Sequence, residues 1–372
     1  MSTRRAGAFD MTHQEIASSR LASQHIARKR FTKVHELVGF MGAVQAQDYP
    51  MARWAIGTRL PQVTDKGVER ALAKGEIVRL HLLRPTWHIV AARDVRWLLA
   101  LTAPTIRSSM GKRHRDLGLA APVISRCNRA LEKALASAGA MTREEIARLL
   151  EKNGIATNED NRLAHILMLA ELDGVVCSGP PRANKPTYAL LDERVPATKT
   201  VEREDGLAEL ARRYFTSRGP ASLRDFQWWS GLTVGDARLA LSLAGESLDS
   251  ETAHSETNWF SRSIRGDWGR DRDVHLLPAY DELLISYRDR SASLGSRHHA
   301  RTVSSNGLFR PTVIVEGRVE GLWKGLRGAD GIVLEADFFH PPNRKTRESL
   351  ARAARAYARF LGRRVDIADS RD

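Results

Sequence analysis

Apolar positions along this chain change period several times, and each change marks an element. Residues 12 to 30 read as a helix. In "TKVHELVGFMG", Val34, Leu37, Val38 and Met41 recur at the spacing that lines one face of a second helix. "EIVRLHLLRPTWHIV" instead gives two β-rich runs that meet at Arg84-Pro85. Helix, helix and hairpin is the order of a winged helix. A long helical stretch follows from about Asp94 to Gly139, with interruptions expected at Pro104 and Pro122.

The same order returns further on. "MTREEIARLL" carries a capping box, Thr142 as N-cap and Glu145 three residues later. "NEDNRLAHILMLAELDG" is expected to start behind Asn158, to bury Leu163, Ile166, Leu167 and Ala170, and to end at Gly174. "VVCSGPPRANKPTYALL" reads as a strand, a Pro-rich loop and a return strand. A third unit has helices in "EDGLAELARRYFTSRG", "SLRDFQWWSG" and "TVGDARLALSLAG", then strand-like segments. From Val274 the runs "VHLLPAYDELLISY", "RPTVIVEGRVEGLW" and "GIVLEADFF" are β-rich, with Glu-Gly and Gly-Ala-Asp-Gly turns. "NRKTRESLARAARAYARFLG" closes as an amphipathic helix capped by Gly362.

The expectation is therefore an α+β fold. Three tandem winged-helix units (1–115, 116–198 and 199–268) precede a β-barrel-like domain (269–342) and a C-terminal helix (343–372). The units share organisation rather than visible sequence identity.

Composition narrows the class. The 372 residues exceed what one compact core usually takes, and 42% are hydrophobic, which excludes wholesale disorder. No apolar run has the length of a membrane span, and "MSTRRAGAFD" lacks the apolar stretch of a secretory signal. With Cys127 and Cys177 alone there is no disulfide framework, and a cytoplasmic setting is expected.

Charge adds a partner. Lys and Arg number 58 against 44 Asp and Glu, a net +14. Such an excess suggests a polyanion, nucleic acid before a membrane surface, although a generally basic proteome gives the same number. Reading bases through a winged helix needs Arg, Lys, Asn or Gln on the exposed face of the second helix. The second unit offers Arg162 and His165 among Glu159, Asp160 and Glu171, and the third offers Arg238 beside Asp236. The basic residues lie elsewhere, in "GKRHR" (Lys112, Arg113), "RANK" (Arg182, Lys185) and "GSRHHAR". That distribution favours winged helices as scaffold, with loops and wings gripping a phosphate backbone. There is no phosphate loop, no G-x-S-x-G elbow and no H-E-x-x-H, so neither cofactor nor metal is expected.

The chemistry-bearing stretch is "GAVQAQDYP", where Gln45, Gln47 and Asp48 crowd at the end of an apolar run. A helix end with no chemistry explains it as well as a site does. With "ARWAIGTRL" behind "VQAQD", and with "LRPTWHIV", "LLPAYDELLISYRDR" and "NGLFRPTVIVEGRVEGLWKG", the chain resembles the tandem winged-helix DNA glycosylases of the AlkZ/YcaQ type over nearly its whole length. The resemblance implies excision of bulky N7-alkylated purines from double-stranded DNA, and in some members unhooking of interstrand crosslinks. Gln45-x-Gln47 matches the Gln-x-Gln motif of the AlkZ-like branch, which contains members linked to resistance against azinomycin-type crosslinkers; the other branch has Gln-x-Asp.

The chemistry stands on its own terms. An N7-alkylated guanine is already cationic, so its base leaves without protonation, and the protein has only to place a water and tolerate an oxocarbenium-like sugar. Amide oxygens can hold that water while amide nitrogens anchor sugar or phosphate. The motif must then be extended, which points Gln45 and Gln47 to one side and Asp48 to the other; in a helix Gln45 and Asp48 would share a face instead.

Secondary candidates surround the motif. Arg84, Thr86 and His88 lie at the tip of the first wing, placed to enter a groove or touch a phosphate, with a buried, hydrogen-bonded histidine as the competing reading. Arg53 is a candidate for the same cleft, whereas Trp54, Trp228 and Trp229 read as core, and Asp281 and Tyr287 as barrel packing. The expected protein is a monomeric, monofunctional glycosylase that engages no membrane. A non-catalytic winged-helix regulator and a protein that sequesters drug or adduct are the alternatives.

Overall fold

A computed structural model of the chain describes residues 11–182, 185–264, 271–327 and 331–368. Helices His13–Ser23 (α1) and Val34–Met41 (α2) lead into strand Val44–Gln45 (β1), helices Tyr49–Gly57 (α3) and Asp65–Lys74 (α4), and the hairpin Ile77–Leu82 (β2) and Thr86–Ala91 (β3). Helices Val95–Asp116 (α5) and Ala121–Ala138 (α6) precede Met141–Thr142 (β4), Arg143–Lys152 (α7), Arg162–Leu172 (α8), Val176–Ser178 (β5), Thr187–Leu190 (β6) and Leu191–Arg194 (α9). Helix Arg203–Arg218 (α10) precedes Ala221–Ser222 (β7), Leu223–Ser230 (α11), Val234–Ala244 (α12), Leu248–Ala253 (β8) and Glu256–Ser261 (β9). The remainder comprises Val274–Leu277 (β10), Glu282–Ile285 (α13), His299–Thr302 (α14), Thr312–Val315 (β11), Arg318–Arg327 (β12), Ile332–Phe338 (β13), Arg344–Leu361 (α15) and Val365–Ile367 (β14).

The fold is mixed α+β. Its three small sheets have one topology: the orders are β1-β3-β2, β4-β6-β5 and β7-β9-β8. In each, a two-residue strand pairs with the return strand of a hairpin, and two helices lie between that strand and the hairpin. The largest sheet runs β10-β11-β12-β13-β14, antiparallel except for the parallel last pair. Glu316 and Gly317 both take positive φ (49° and 82°), as a two-residue turn between twisted antiparallel strands requires. The Gly-Ala-Asp-Gly turn falls largely at 328–330, outside the described residues.

Several local expectations change. The helices that precede the first hairpin are α3 and α4, whereas α1 stops at Ser23 and packs on α10. Its Arg20 Nε donates to Pro220 O at 2.9 Å. Pro104 lies inside α5 without ending it; the break comes at Leu117, and Pro122 sits in the first turn of α6, where its missing N–H costs nothing. α8 begins at Arg162 after a left-handed Asn161 (φ 63°), not behind Asn158. In "VHLLPAYDELLISY" only Val274–Leu277 is strand; Asp281 then caps a short helix, accepting from Leu283 N at 2.9 Å.

Elsewhere the patterning holds. Thr142 and Glu145 form the capping box on α7. α15 buries Leu350, Ala354, Tyr357 and Phe360 and ends at a left-handed Gly362. Tyr357 and Phe360 pack on Trp54 at 4.9 and 5.1 Å between ring centroids. Gly57 permits this contact, since a Cβ there would stand 2.4 Å from the Phe360 ring.

Candidate active-site cleft

α2 ends at Gly42 (φ 72°), and the chain turns into an extended segment. Gln45 pairs with His88 across β1 and β3, and Ala46 N donates to Trp87 O at 2.7 Å. Asp48 leaves this strand-like path to cap α3, accepting from Met51 N at 3.1 Å. The helical alternative is thereby excluded: Gln45 lies in β1, Gln47 sits at the bend that follows it, and Asp48 has the separate task of capping α3. Gln45 is only 4% exposed, and its Oε1 accepts from Gln47 N at 2.9 Å, so its amide runs along the chain toward its neighbour. Gln47 is exposed. Among the described residues nothing hydrogen-bonds the Gln45 amide nitrogen or any side-chain atom of Gln47.

A buried ion pair seats this backbone. Glu282 Oε1 accepts from Gln45 N at 2.7 Å. Its Oε2 accepts from Arg218 Nη2 at 2.8 Å, from Trp229 Nε1 at 3.2 Å and from Ser286 Oγ. Arg218 in turn donates to Met41 O at 2.6 Å and Ala43 O at 2.8 Å. Arg79 donates Nε to Ala46 O at 3.0 Å while its guanidinium lies 4.3 Å from the Trp87 ring. Positions 41, 43, 45 and 46 are thus each held from outside their own strand. Burial alone would raise the Glu282 carboxyl; Arg218 and hydrogen bonds from Ser286, Arg218 and the Gln45 N–H outweigh it and hold it at about 2. It is a carboxylate at neutral pH. Asp281 beside it pairs with Arg59 through two contacts of 2.9 and 3.0 Å, and Tyr287 OH donates to Arg218 O at 2.8 Å, so both are structural.

The first hairpin presents the opposite situation. His88 is fully buried, and its Nδ1 lies 3.0 Å from Thr86 O. Burial, then Arg84, pushes its imidazole down to about 3, so the ring is neutral, Nδ1 carries the proton and Nε2 is left as an acceptor. Among the described residues that Nε2 has no partner. Neither do Arg84 Nε, Thr86 Oγ1 or Trp87 Nε1, all buried in the same five-residue stretch. Buried polar atoms without partners are rare in folded proteins, and four of them fall in this stretch beside Gln45.

The expected site residues divide into two groups. Gln45, Gln47, Arg84, Thr86 and His88 are brought together. His88 cannot touch a phosphate, because it is sealed beneath the sheet; this corrects the reading of it as a DNA contact. The first wing does not project either. Its turn is docked on the end of α11, where a Cβ on Gly231 would stand 2.2 Å from Leu83 O. Arg53 is held by Asp65 at 2.9 Å and by Glu69, so its charge is spent inside the protein. Arg182 pairs with Glu145, Lys112 with Asp116 at 2.8 Å, and Arg113 donates to Asp160 O at 2.7 Å. Lys185 is exposed and forms no ion pair among the described residues. These last four are solvent-screened, and a phosphate competes readily with such partners.

The sequence reading passed over Glu282, Arg218 and Arg79. A carboxylate inside the apolar run "DELLIS" was the available signal for the first. Trp229 and Trp54 are core, at 1% and 4% exposure, but Trp228 is 38% exposed, against expectation. The second helix of the second unit is likewise unavailable as a base reader. α8 is buried on most of its surface, Glu171 pairs internally with His81, and Arg162 donates to Leu117 O at 2.9 Å.

Residues 38–360 match the family described as DNA glycosylase AlkZ-like. An interstrand DNA cross-link repair glycosylase of Streptomyces sahachiroi is 22% identical over 331 residues, which cover 84% of this chain and 87% of that protein. The solved structure of the Streptomyces sahachiroi DNA glycosylase AlkZ matches with a TM-score of 0.79, covering 96% of this chain and 99% of that one at 20% identity, a likeness of fold. Because the family match extends from the end of α2 through the last helix and includes the glutamine segment, this protein belongs to the AlkZ-like DNA glycosylases.

Proposed function

We propose that the protein hydrolyses the N-glycosidic bond of bulky N7-alkylated purines in duplex DNA, interstrand crosslinks of that chemistry included, with Gln45 and Gln47 as the catalytic pair. One observation carries the reading: the backbone through and just before the motif is held at four positions, while the Gln45 NH2 group and the Gln47 side chain have no hydrogen-bond partner among the described residues. Gln47, at the surface, holds the attacking water through its side-chain oxygen. Gln45, with its oxygen tied to Gln47 N, keeps its NH2 group for the sugar or its phosphate. Water adds to C1′, the bond to N9 breaks, and its electron pair neutralises the alkylated purine; the proton of the water passes to solvent. No lysine is assigned to strand cleavage, so the product is an abasic site.

The surroundings suit a cationic transition state. His88 is held neutral, so no imidazolium opposes the charge that develops on the sugar. The exposure of Gln47 also suits a bulky adduct, which a deep base-flipping pocket would exclude. The three helix–helix–hairpin units act as winged helices used for scaffolding rather than for reading bases, and Arg182, Lys185, Lys112 and Arg113 grip the DNA backbone. One chain supplies both the glutamines and their clamp, so a monomer is sufficient.

The test is release of base from duplex DNA carrying N7-methylguanine or a nitrogen-mustard crosslink, under single-turnover conditions. Gln45→Ala and Gln47→Ala are each expected to lower the rate on the order of a hundredfold, the cost of losing one placed polar group at a transition state. Release that survives both substitutions would refute the assignment.

A further inference from the structure

Arg84 is half-buried, yet its guanidinium forms no ion pair and no side-chain hydrogen bond among the described residues. Arg290, from the segment after α13, forms no ion pair either; it donates only to the carbonyls of Leu284 at 3.0 Å and Arg288 at 3.5 Å. Arg53, Arg59, Arg213 and Arg218 by contrast each face a carboxylate, whereas Arg79 and Arg194 are held by backbone carbonyls. Arg84 and Arg290 instead share one aromatic ring, that of Trp228, at 5.2 and 5.5 Å from its centroid. The indole N–H is tied to Ile285 O at 3.1 Å, which fixes the plane of a ring that is 38% exposed.

Two partly desolvated cations around one ring repel each other, and an anion that joins them removes the penalty. A flat ring beside them adds a stacking surface. An anion attached to a flat ring is the description of a nucleotide. We propose that Arg84, Trp228 and Arg290 form a nucleotide subsite, in which a nucleobase unstacked from the duplex lies against Trp228 and its phosphate is shared by the two guanidiniums. Arg84 stands four positions before His88, the strand partner of Gln45, so it lies within roughly 13 Å of it. The subsite is assigned a nucleotide near the lesion. It rests on the glycosylase reading above and adds a second point of contact to it.

The probe is a duplex with one N7-methylguanine and 2-aminopurine as a neighbouring base, followed by anisotropy and 2-aminopurine fluorescence before base release. Trp228→Ala is expected to weaken binding about tenfold, the usual scale for loss of one base–aromatic stack, and to abolish the fluorescence quenching seen with the wild type. Trp228→Phe is expected to retain most of both. The double substitution Arg84→Ala, Arg290→Ala is expected to lower the slope of log affinity against log salt by about 0.9, the share of one phosphate. If Trp228→Ala melts like the wild type and also binds and quenches like it, the subsite is wrong, while wild-type base release leaves the glycosylase reading standing. A wild type that releases no base, combined with weakened binding in Trp228→Ala, overturns the chemistry and keeps the subsite.

Discussion

The first and second hairpins share a topology and differ in almost everything else. β2–β3 has its turn pressed against α11, buries His88 and leaves four polar atoms of Arg84–His88 without partners. β5–β6 carries its basic residues outward: Arg182 and Lys185 are exposed, and Arg182 pairs directly with Glu145 at the surface. One hairpin stores unsatisfied hydrogen-bonding capacity next to the glutamines; the other offers charge that water already screens. Repetition of a fold unit does not repeat its surroundings, and burial is what separates the two copies.

The contrast can be attacked first at the clamp behind the buried hairpin. Glu282→Gln leaves Arg218 buried without its counter-charge, and a loss of about 3–5 kcal/mol is expected in denaturant or thermal unfolding. No second-hairpin substitution is expected to approach that figure. A small loss would mean that the ion pair is better solvated than its burial indicates.

Acid stability provides the next test. The His88 pKa falls from 6.5 in the unfolded chain to about 3 in the fold, so the stability tied to its neutral form is complete above pH 6.5 and is lost as pH falls toward 3. Glu282, lowered from 4.5 to about 2, adds its own loss only below pH 4.5. Between pH 6.5 and 4.5, His88→Gln is therefore expected to flatten the dependence by up to one proton's worth, about 1.4 kcal/mol per pH unit. Unfolding midpoints across that window measure it; identical slopes would show that His88 is hydrated.

The smallest effect belongs to the second hairpin. Arg182→Ala and Lys185→Ala are each expected to reduce the slope of log DNA affinity against log salt by about 0.9 with base release at saturating protein retained. Unchanged slopes would remove that hairpin from the DNA interface.

Much of the fold was legible because helices announce themselves locally. Thr142 with Glu145, and Gly362 after an amphipathic run, mark ends through groups a few residues apart. α3 carries no such marker beyond Asp48 at the end of an apolar run, and β1, β4 and β7 are two residues each, too short to show a period. Pro104 was misread as a break, although its neighbours kept the helix. The glutamines stood out through their resemblance to a family motif. Their clamp did not, because a bond between Arg218 and Glu282 leaves no trace at either position alone. Trp228 looked like core for the same reason: helical spacing records a neighbour's face, not what stands opposite it.

The Gln45 N–H is seated by a carboxylate that lies 237 positions later in the chain. A polypeptide still leaving the ribosome therefore possesses both glutamines long before it possesses the carboxylate that holds the first of them by its backbone N–H.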